Sequence, residues 1–337
     1  MFIIENYVWA IAFCFITMLC WGSWANTQKL VQKKWRFELF YWDYVIGIFL
    51  FSLLGAFTMG SHGELGRSFL NDLSQADTAN IRSALIGGFV FNLANILLTA
   101  AIAGAGMAVA FPIGIGLALI IGVIINYILL NKGNPVLLFL GVALVTLAII
   151  VNAIAYGKHA GDTSRKNVGK WIAISALAGV LMSTFYPFIA AGMDLENFVS
   201  PAAGKMTPYT AFVVFAAGIL ISNLFFNTVI MRRPFEGPPI SYSEYFKGGF
   251  SIHLVGILGG CIWGMGNLFN LIAAGKAGPA VSYGLGQGAT LIAALWGVFI
   301  WREFKGSSKS VGYLIATMFA LFVAGIGLVI VAGSSSS

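Results

Sequence analysis

Two pairs of asparagines stand three residues apart in this chain, Asn92 with Asn95 and Asn267 with Asn270. Each pair lies in a long uncharged stretch, where that spacing puts both side chains on one face of a helix. A carboxamide donates and accepts hydrogen bonds, which suits a neutral solute rich in hydroxyl or urea-like groups. Between two helices the same group acts as glue, contributing ~0.6–2 kcal/mol. Trp21, Trp24 and Asn26 end the first uncharged stretch, and Tyr186, Trp263, Tyr283 and Gln287 fall inside later ones. An indole face stacks on the C–H surface of a sugar or on a planar heterocycle, although Trp21 and Trp24 also fit an interfacial belt. These eleven residues form the candidate solute-binding set.

Ionisable groups are scarce in the same stretches, and their scarcity makes them informative. Asp43 lies about two turns into a helix that starts near Arg36. It has two readings: a structural partner of Tyr41, Tyr44, Lys33 or Lys34, or an acid that takes up a coupling proton. His253 is a weaker proton-relay candidate. Glu38 and Glu303 stand beside Arg36 and Arg302 and read as surface ion pairs. His62, His159 and His253 are scattered, and no Cys or carboxylate cluster has metal-ligand spacing. No Ser/His/Asp set can be assembled either. The expectation is therefore no enzyme, no metal and no cofactor.

The stretch GPAVSYGLGQGATLIAALWG (278–297) contains Gly284, Gly286 and Ala289 in the spacing of a dinucleotide turn. It sits in 25 uncharged positions, 277–301, with no room for the strand, turn and helix that a phosphate cradle requires. The glycines instead let helices approach closely or leave space for a solute.

Helices that cross a membrane must position these side chains. Hydrophobic residues make up 59% of the 337 positions and charged residues 9%, too little charge to cover a soluble domain. Uncharged windows at 6–28, 44–63, 83–131, 133–157, 171–193, 206–231, 248–275, 277–301 and 310–337 suit spans of ~20 residues. The window 83–131 holds two spans around Gly104 and Gly106. The result is an all-α integral membrane protein of ten transmembrane helices. Residues 1–7 carry Glu5 and no Lys or Arg, unlike a cleaved signal. Cys14, Cys20 and Cys261 fall inside spans and suggest no disulfide framework.

Basic residues divide by loop. Lys29, Lys33, Lys34, Arg36, Lys158, Arg165, Lys166, Lys170, Arg232, Arg233, Lys247, Arg302, Lys305 and Lys309 fall on one side, and Arg67, Arg82, Lys132, Lys205 and Lys276 on the other. The richer side is expected in the cytoplasm, with both termini outside. The net charge of +7 thus follows membrane topology and indicates no nucleic acid partner; the expected surroundings are a lipid bilayer.

At an offset of 172, residues 87–122 align without gaps with 259–294, and Gly87, Gly88, Asn95, Gly114 and Gly116 each meet an identical residue. The third and fourth spans recur as the eighth and ninth. A weaker echo at an offset of 162 pairs Trp9 with Trp171 and Trp24 with Tyr186. Units five spans apart enter the membrane in opposite senses, giving a 5+5 inverted-topology repeat of the kind that supports alternating access. The expected boundaries are a first five-helix unit at 1–157, a cytoplasmic linker at 158–170, a second unit at 171–333 and a tail at 334–337. Pro112 is expected to kink the fourth span.

WGSW (21–24), YWDY (41–44), YTAF (209–212), GMGN (264–267) and WGVFIWREF (296–304) resemble motifs of drug/metabolite transporter superfamily permeases. The resemblance extends over nearly the whole chain and is nearest to the ureide permease branch, with the bacterial glucose/ribose and rhamnose porters as relatives. It implies proton-coupled uptake of a small neutral polar solute. One departure is the linker of about 14 residues, where plant ureide permeases carry a long central cytoplasmic segment; regulation through that segment does not carry over. A monosaccharide is slightly favoured by the short linker, with an allantoin-like or uracil-like compound as the alternative. A multidrug exporter, the less favoured alternative, would need a membrane-embedded carboxylate; none stands between Tyr7 and Asn26, so Asp43 would have to serve from near the cytoplasmic end. Whether the chain acts as monomer or dimer is left open.

Overall fold

A computed structural model describes residues 1–105, 107–130, 134–160, 168–302 and 304–334. Gly106, Lys132, Arg165, Lys166, Glu303 and residues 335–337 lie outside the described residues, as does the side chain of Pro112. Fourteen α-helices follow in order: α1 (Tyr7–Ser23), α2 (Ala25–Val31), α3 (Phe37–Phe57), α4 (Phe69–Gln75), α5 (Thr78–Ala105), α6 (Met107–Leu130) and α7 (Pro135–Ala160). Then come α8 (Val168–Ala191), α9 (Pro208–Arg232), α10 (Tyr242–Phe246), α11 (Phe250–Ala277), α12 (Pro279–Gln287), α13 (Ala289–Leu295) and α14 (Lys309–Ser334). Among the described residues, nine helical segments are long and apolar enough to cross a membrane, and a tenth apolar helix covers Ile113–Leu129. The chain is an all-α integral membrane protein.

Two departures from the uncharged windows bear on the interior. The second begins at Phe37, seven residues before the window at 44–63, and so includes Glu38 and Asp43. Both charges are buried and partnered, Glu38 by Arg36 at 2.5 Å and Asp43 by His253 at 2.8 Å. Glu38 is therefore no surface pair: its side chain is 1% exposed and only Arg36 reaches solvent. The ninth span is broken into α12 and α13 at Gly288, and a π-helical turn at Trp296–Ile300 ends it.

The repeat is visible in two helix crossings that match atom for atom. A Cβ on Gly88 would lie within 3 Å of Phe215 O, Ile219 N and Gly218 Cα. A Cβ on Gly260 would crowd Tyr44 O, Ile48 N and Gly47 Cα in the same way. Gly218 likewise abuts Leu85 O, and Gly47 abuts Ile257 O. Residues of α5 thus correspond to residues of α11 at 172 positions, and residues of α3 to residues of α9 at 171. In both crossings the second span of one unit packs on the third span of the other, with only hydrogen between backbones. The units are exchanged partners, not two bundles side by side. The fifth and tenth spans, α7 and α14, pair with each other through Gly141 and Gly325.

Glycines also shape the interior around the ninth span. A side chain on Gly286 would meet the Trp21 ring at 2.7 Å, and one on Gly288 the Met18 sulfur at 2.6 Å. The nucleotide-like spacing at 284–289 therefore makes room for α1.

Candidate functional site

A chamber lies where α1, α5, α6, α8, α11, α12 and α13 meet. Trp21, Trp24, Asn95, Trp263 and Gln287, all expected from sequence, line it, together with apolar side chains including Phe91, Met182 and Phe185. The cavity among them has a volume of about 30 Å³. That is room for a water or two, so a solute-sized site requires the surrounding helices to separate.

Aromatic faces dominate the lining. The Trp21 and Trp263 rings are parallel within 9°, with centroids 5.9 Å apart. Phe91 approaches Trp263 at 4.3 Å, and Trp24 approaches Tyr44 at 4.8 Å. Phe91 is the repeat mate of Trp263, a correspondence present in the alignment of 87–122 with 259–294. The apolar lining from α6 and α8 carries no such mark, because an apolar residue in a span looks the same whether it faces lipid or a cavity.

The other expected residues tie helices together. Asn26 accepts from the Trp301 indole at 2.7 Å and donates to Ser23 O. Asn92 donates to Ser222 Oγ at 2.9 Å, joining α5 to α9. Tyr186 and Ser282 share a hydrogen bond at 3.3 Å, and Asn270 donates to Ser282 O at 2.7 Å. The Tyr283 hydroxyl reaches Met182 O and Ala118 O. Asn95 donates to the Tyr41 hydroxyl at 3.3 Å while still lining the chamber. Asn267 is 1% exposed, and neither of its amide atoms has a partner.

A second recess, lined by Gln28, Gln32, Lys33, Trp35, Arg36 and Glu38 among others, opens on the side rich in Lys and Arg. Gln28 donates to Thr99 O at 3.3 Å. Gln28 and Thr99 each follow a chamber residue, Trp24 and Asn95, by one helical turn. One turn of α2 and α5 therefore separates recess from chamber.

Asp43 bonds to none of Tyr41, Tyr44, Lys33 or Lys34. Its Oδ1 accepts from the Tyr245 hydroxyl at 2.5 Å and pairs with His253 Nδ1 at 2.8 Å. Gly256 on α11 supplies the room, since a Cβ there would meet Asp43 Cβ at 2.4 Å. Trp35 closes the cluster edge-on to His253 at 5.3 Å. Burial, and then the adjoining carboxylate, hold the Tyr245 hydroxyl well above its usual range, so it remains a donor at any physiological pH. The two ionisable candidates thus form one site, which their separation of 210 residues conceals in sequence.

Helices that exchange partners across an inverted repeat, around a chamber lined by amides and indoles, have the architecture of a membrane permease. The ureide permease family model matches residues 40–171 and 163–332, and the chain belongs to that family. Ureide permease 2 of Arabidopsis thaliana is 24% identical over 392 residues, covering 97% of this chain and 98% of its own. Ureide permease 4 of the same plant is 24% identical over 394 residues, with the same coverage. A Streptococcus pyogenes serotype M1 protein named "Putative sugar uptake protein" is 22% identical over 247 residues, 73% of this chain and 78% of its own. A solved crystal structure at 15% identity superposes with a TM-score of 0.64 over 99% of this chain and 100% of the other, a likeness of fold. The chain is a transporter of small solutes, not an enzyme.

Proposed function

We propose that this permease takes up a small, neutral, planar ureide or nucleobase-like solute together with protons. The observation that carries the reading is the parallel Trp21 and Trp263 pair beside the Asn95 and Gln287 amides. Indole faces take a flat ring, and carboxamides match neighbouring N–H and C=O groups in donor and acceptor sense. The plant relatives' names support this class over the monosaccharide that the short linker favours. The sugar reading stays as the second one, supported by the streptococcal relative's name and by stacking of indoles on sugar C–H faces.

The Asp43–His253 pair is the proposed proton site. A carboxylate and an imidazole 2.8 Å apart can share one proton without leaving an isolated charge in the membrane. The two five-helix units at 1–157 and 171–333 are the proposed moving bodies, joined by the linker at 158–170. We place the protein in a bacterial cytoplasmic membrane with its basic side inside. An exposed cysteine introduced as His62→Cys, on the opposite side, should then react with an impermeant thiol reagent in intact cells. Labelling only after lysis would reverse the orientation.

The class of solute is tested by thermal-shift binding of the detergent-purified protein to allantoin, uracil, ribose, rhamnose and glucose. A ligand of the native state raises the melting temperature with concentration. Allantoin or uracil is expected to do so, and Trp263→Ala to weaken that binding by tenfold or more, the loss of one aromatic face being worth ~1–3 kcal/mol by analogy with base stacking. A shift with the monosaccharides alone overturns the ureide reading.

A further inference from the structure

Buried polar groups almost always have hydrogen-bond partners, and an exception needs a reason. Asn267 is such an exception, with both amide atoms unpartnered at 1% exposure. Its repeat mate, Asn95, is bonded to the Tyr41 hydroxyl. The correspondence of α3 with α9 explains the difference, because Tyr41 maps onto Phe212 and Tyr44 onto Phe215. The second unit carries the asparagine but has phenylalanine at both tyrosine positions, so the hydroxyl that Asn95 meets has no counterpart there. Phe212 and Phe215 are fully buried, and the Phe212 ring reaches the position of a Cβ on Gly264, three residues before Asn267.

The two asparagines also sit at different depths. Each follows a member of the Phe91–Trp263 pair by one turn, but α5 and α11 run in opposite senses. Asn95 reaches Tyr41 near the start of α3, whereas Leu268, beside Asn267, packs on Gly55 near its end. The aromatic pair thus separates an amide that has an internal partner from one that has none.

We propose that Asn267 is a specificity-determining residue for the solute in the state open to the side opposite the basic loops. When the helices rearrange to that state, an entering solute supplies both missing partners of Asn267 before it passes the Phe91–Trp263 pair toward Asn95. A group that presents C=O beside N–H fits a carboxamide in two bonds, which rests on the ureide reading above. The retained asparagine without its tyrosines is then a binding feature, and the repeat is asymmetric where the solute must be released on one side and read on the other.

Asn223 supplies the comparison. It is also fully buried with both amide atoms unpartnered. Neither asparagine lines the chamber itself, but Asn267 follows the lining residue Trp263 by one turn of α11, whereas α9, which carries Asn223, contributes no lining residue. Asn267→Leu, Asn267→Ala and Asn223→Leu would be purified beside the wild type. Melting temperature would be measured without solute, and binding with allantoin, uracil, ribose and rhamnose as probes. Asn267→Leu is expected to melt no lower than wild type, because it removes two unpartnered groups at nearly constant shape. The probe that the wild type binds is expected to bind it at least tenfold more weakly, with Asn223→Leu unchanged. A melting temperature several degrees lower in both Asn267 variants means that the amide is internally bonded and overturns the proposal. So does unchanged binding. If the wild type binds only a monosaccharide, the ureide reading fails, while the comparison at Asn267 is still decided with that sugar.

Discussion

Gly260→Leu is expected to yield almost no folded protein. Any Cβ at this position would lie within 3 Å of Tyr44 O, Ile48 N and Gly47 Cα. All three are backbone atoms of α3, so no side chain can rotate out of the way. Overpacking a side-chain contact costs about 1–3 kcal/mol, and forcing two backbones apart should exceed that range. It also breaks the crossing by which the second unit holds the first. Fluorescence-detected size exclusion would read the outcome, with Gly312→Leu as the comparison because nothing lies within 4 Å of a Cβ there. A monodisperse Gly260→Leu peak melting with the wild type would refute the crossing as described. Gly88→Leu, at the matching crossing against Phe215 O and Gly218 Cα, should fail in the same way.

Asp43→Asn should uncouple uptake from protons while leaving the fold intact. Asparagine keeps the size of the side chain and an oxygen that accepts from Tyr245, so the contact at 2.5 Å can persist. It cannot gain or lose a proton at the site shared with His253. Wild-type uptake in proteoliposomes is expected to rise under an inward proton gradient. In the variant that response should fall at least tenfold, about 1.4 kcal/mol of coupling, with equilibrium binding of the solute retained. Glu244 and Lys247, the charged residues of the neighbouring α10 segment, are exposed and paired with each other at 2.5 Å. They offer the proton no equivalent buried acceptor. A full gradient response in Asp43→Asn would remove this residue from the coupling mechanism. Loss of solute binding together with the response would instead give Asp43 a structural role.

The spans, their alternating senses and the repeat were legible in the sequence because each depends on local properties. About 20 uncharged residues suffice for a span, and an odd number of spans between matching segments suffices for inversion. The positions of Trp21, Trp24, Asn95, Trp263 and Gln287 in the chamber follow from the same source. A polar or amphipathic side chain in a span is costly unless it faces protein or a cavity.

Partner choice was not legible, because helical periodicity fixes the face of a residue and leaves open which helix covers it. Asn92 and Asn95 share a face as expected, yet one ties α5 to α9 and the other lines the chamber. A helix start near Arg36 and the pairing of Arg36 with Glu38 are local and were legible, but nothing local tells that Glu38 is buried or that His253, 210 residues away, covers Asp43. The sequence by itself determined that this chain folds as ten membrane helices in two inverted units with amides and indoles inside. Only the tertiary structure decided which amide has a partner. Tyr41 reaches Asn95 across a helix crossing, and at the equivalent crossing the second unit offers Phe212, which has no hydroxyl to give.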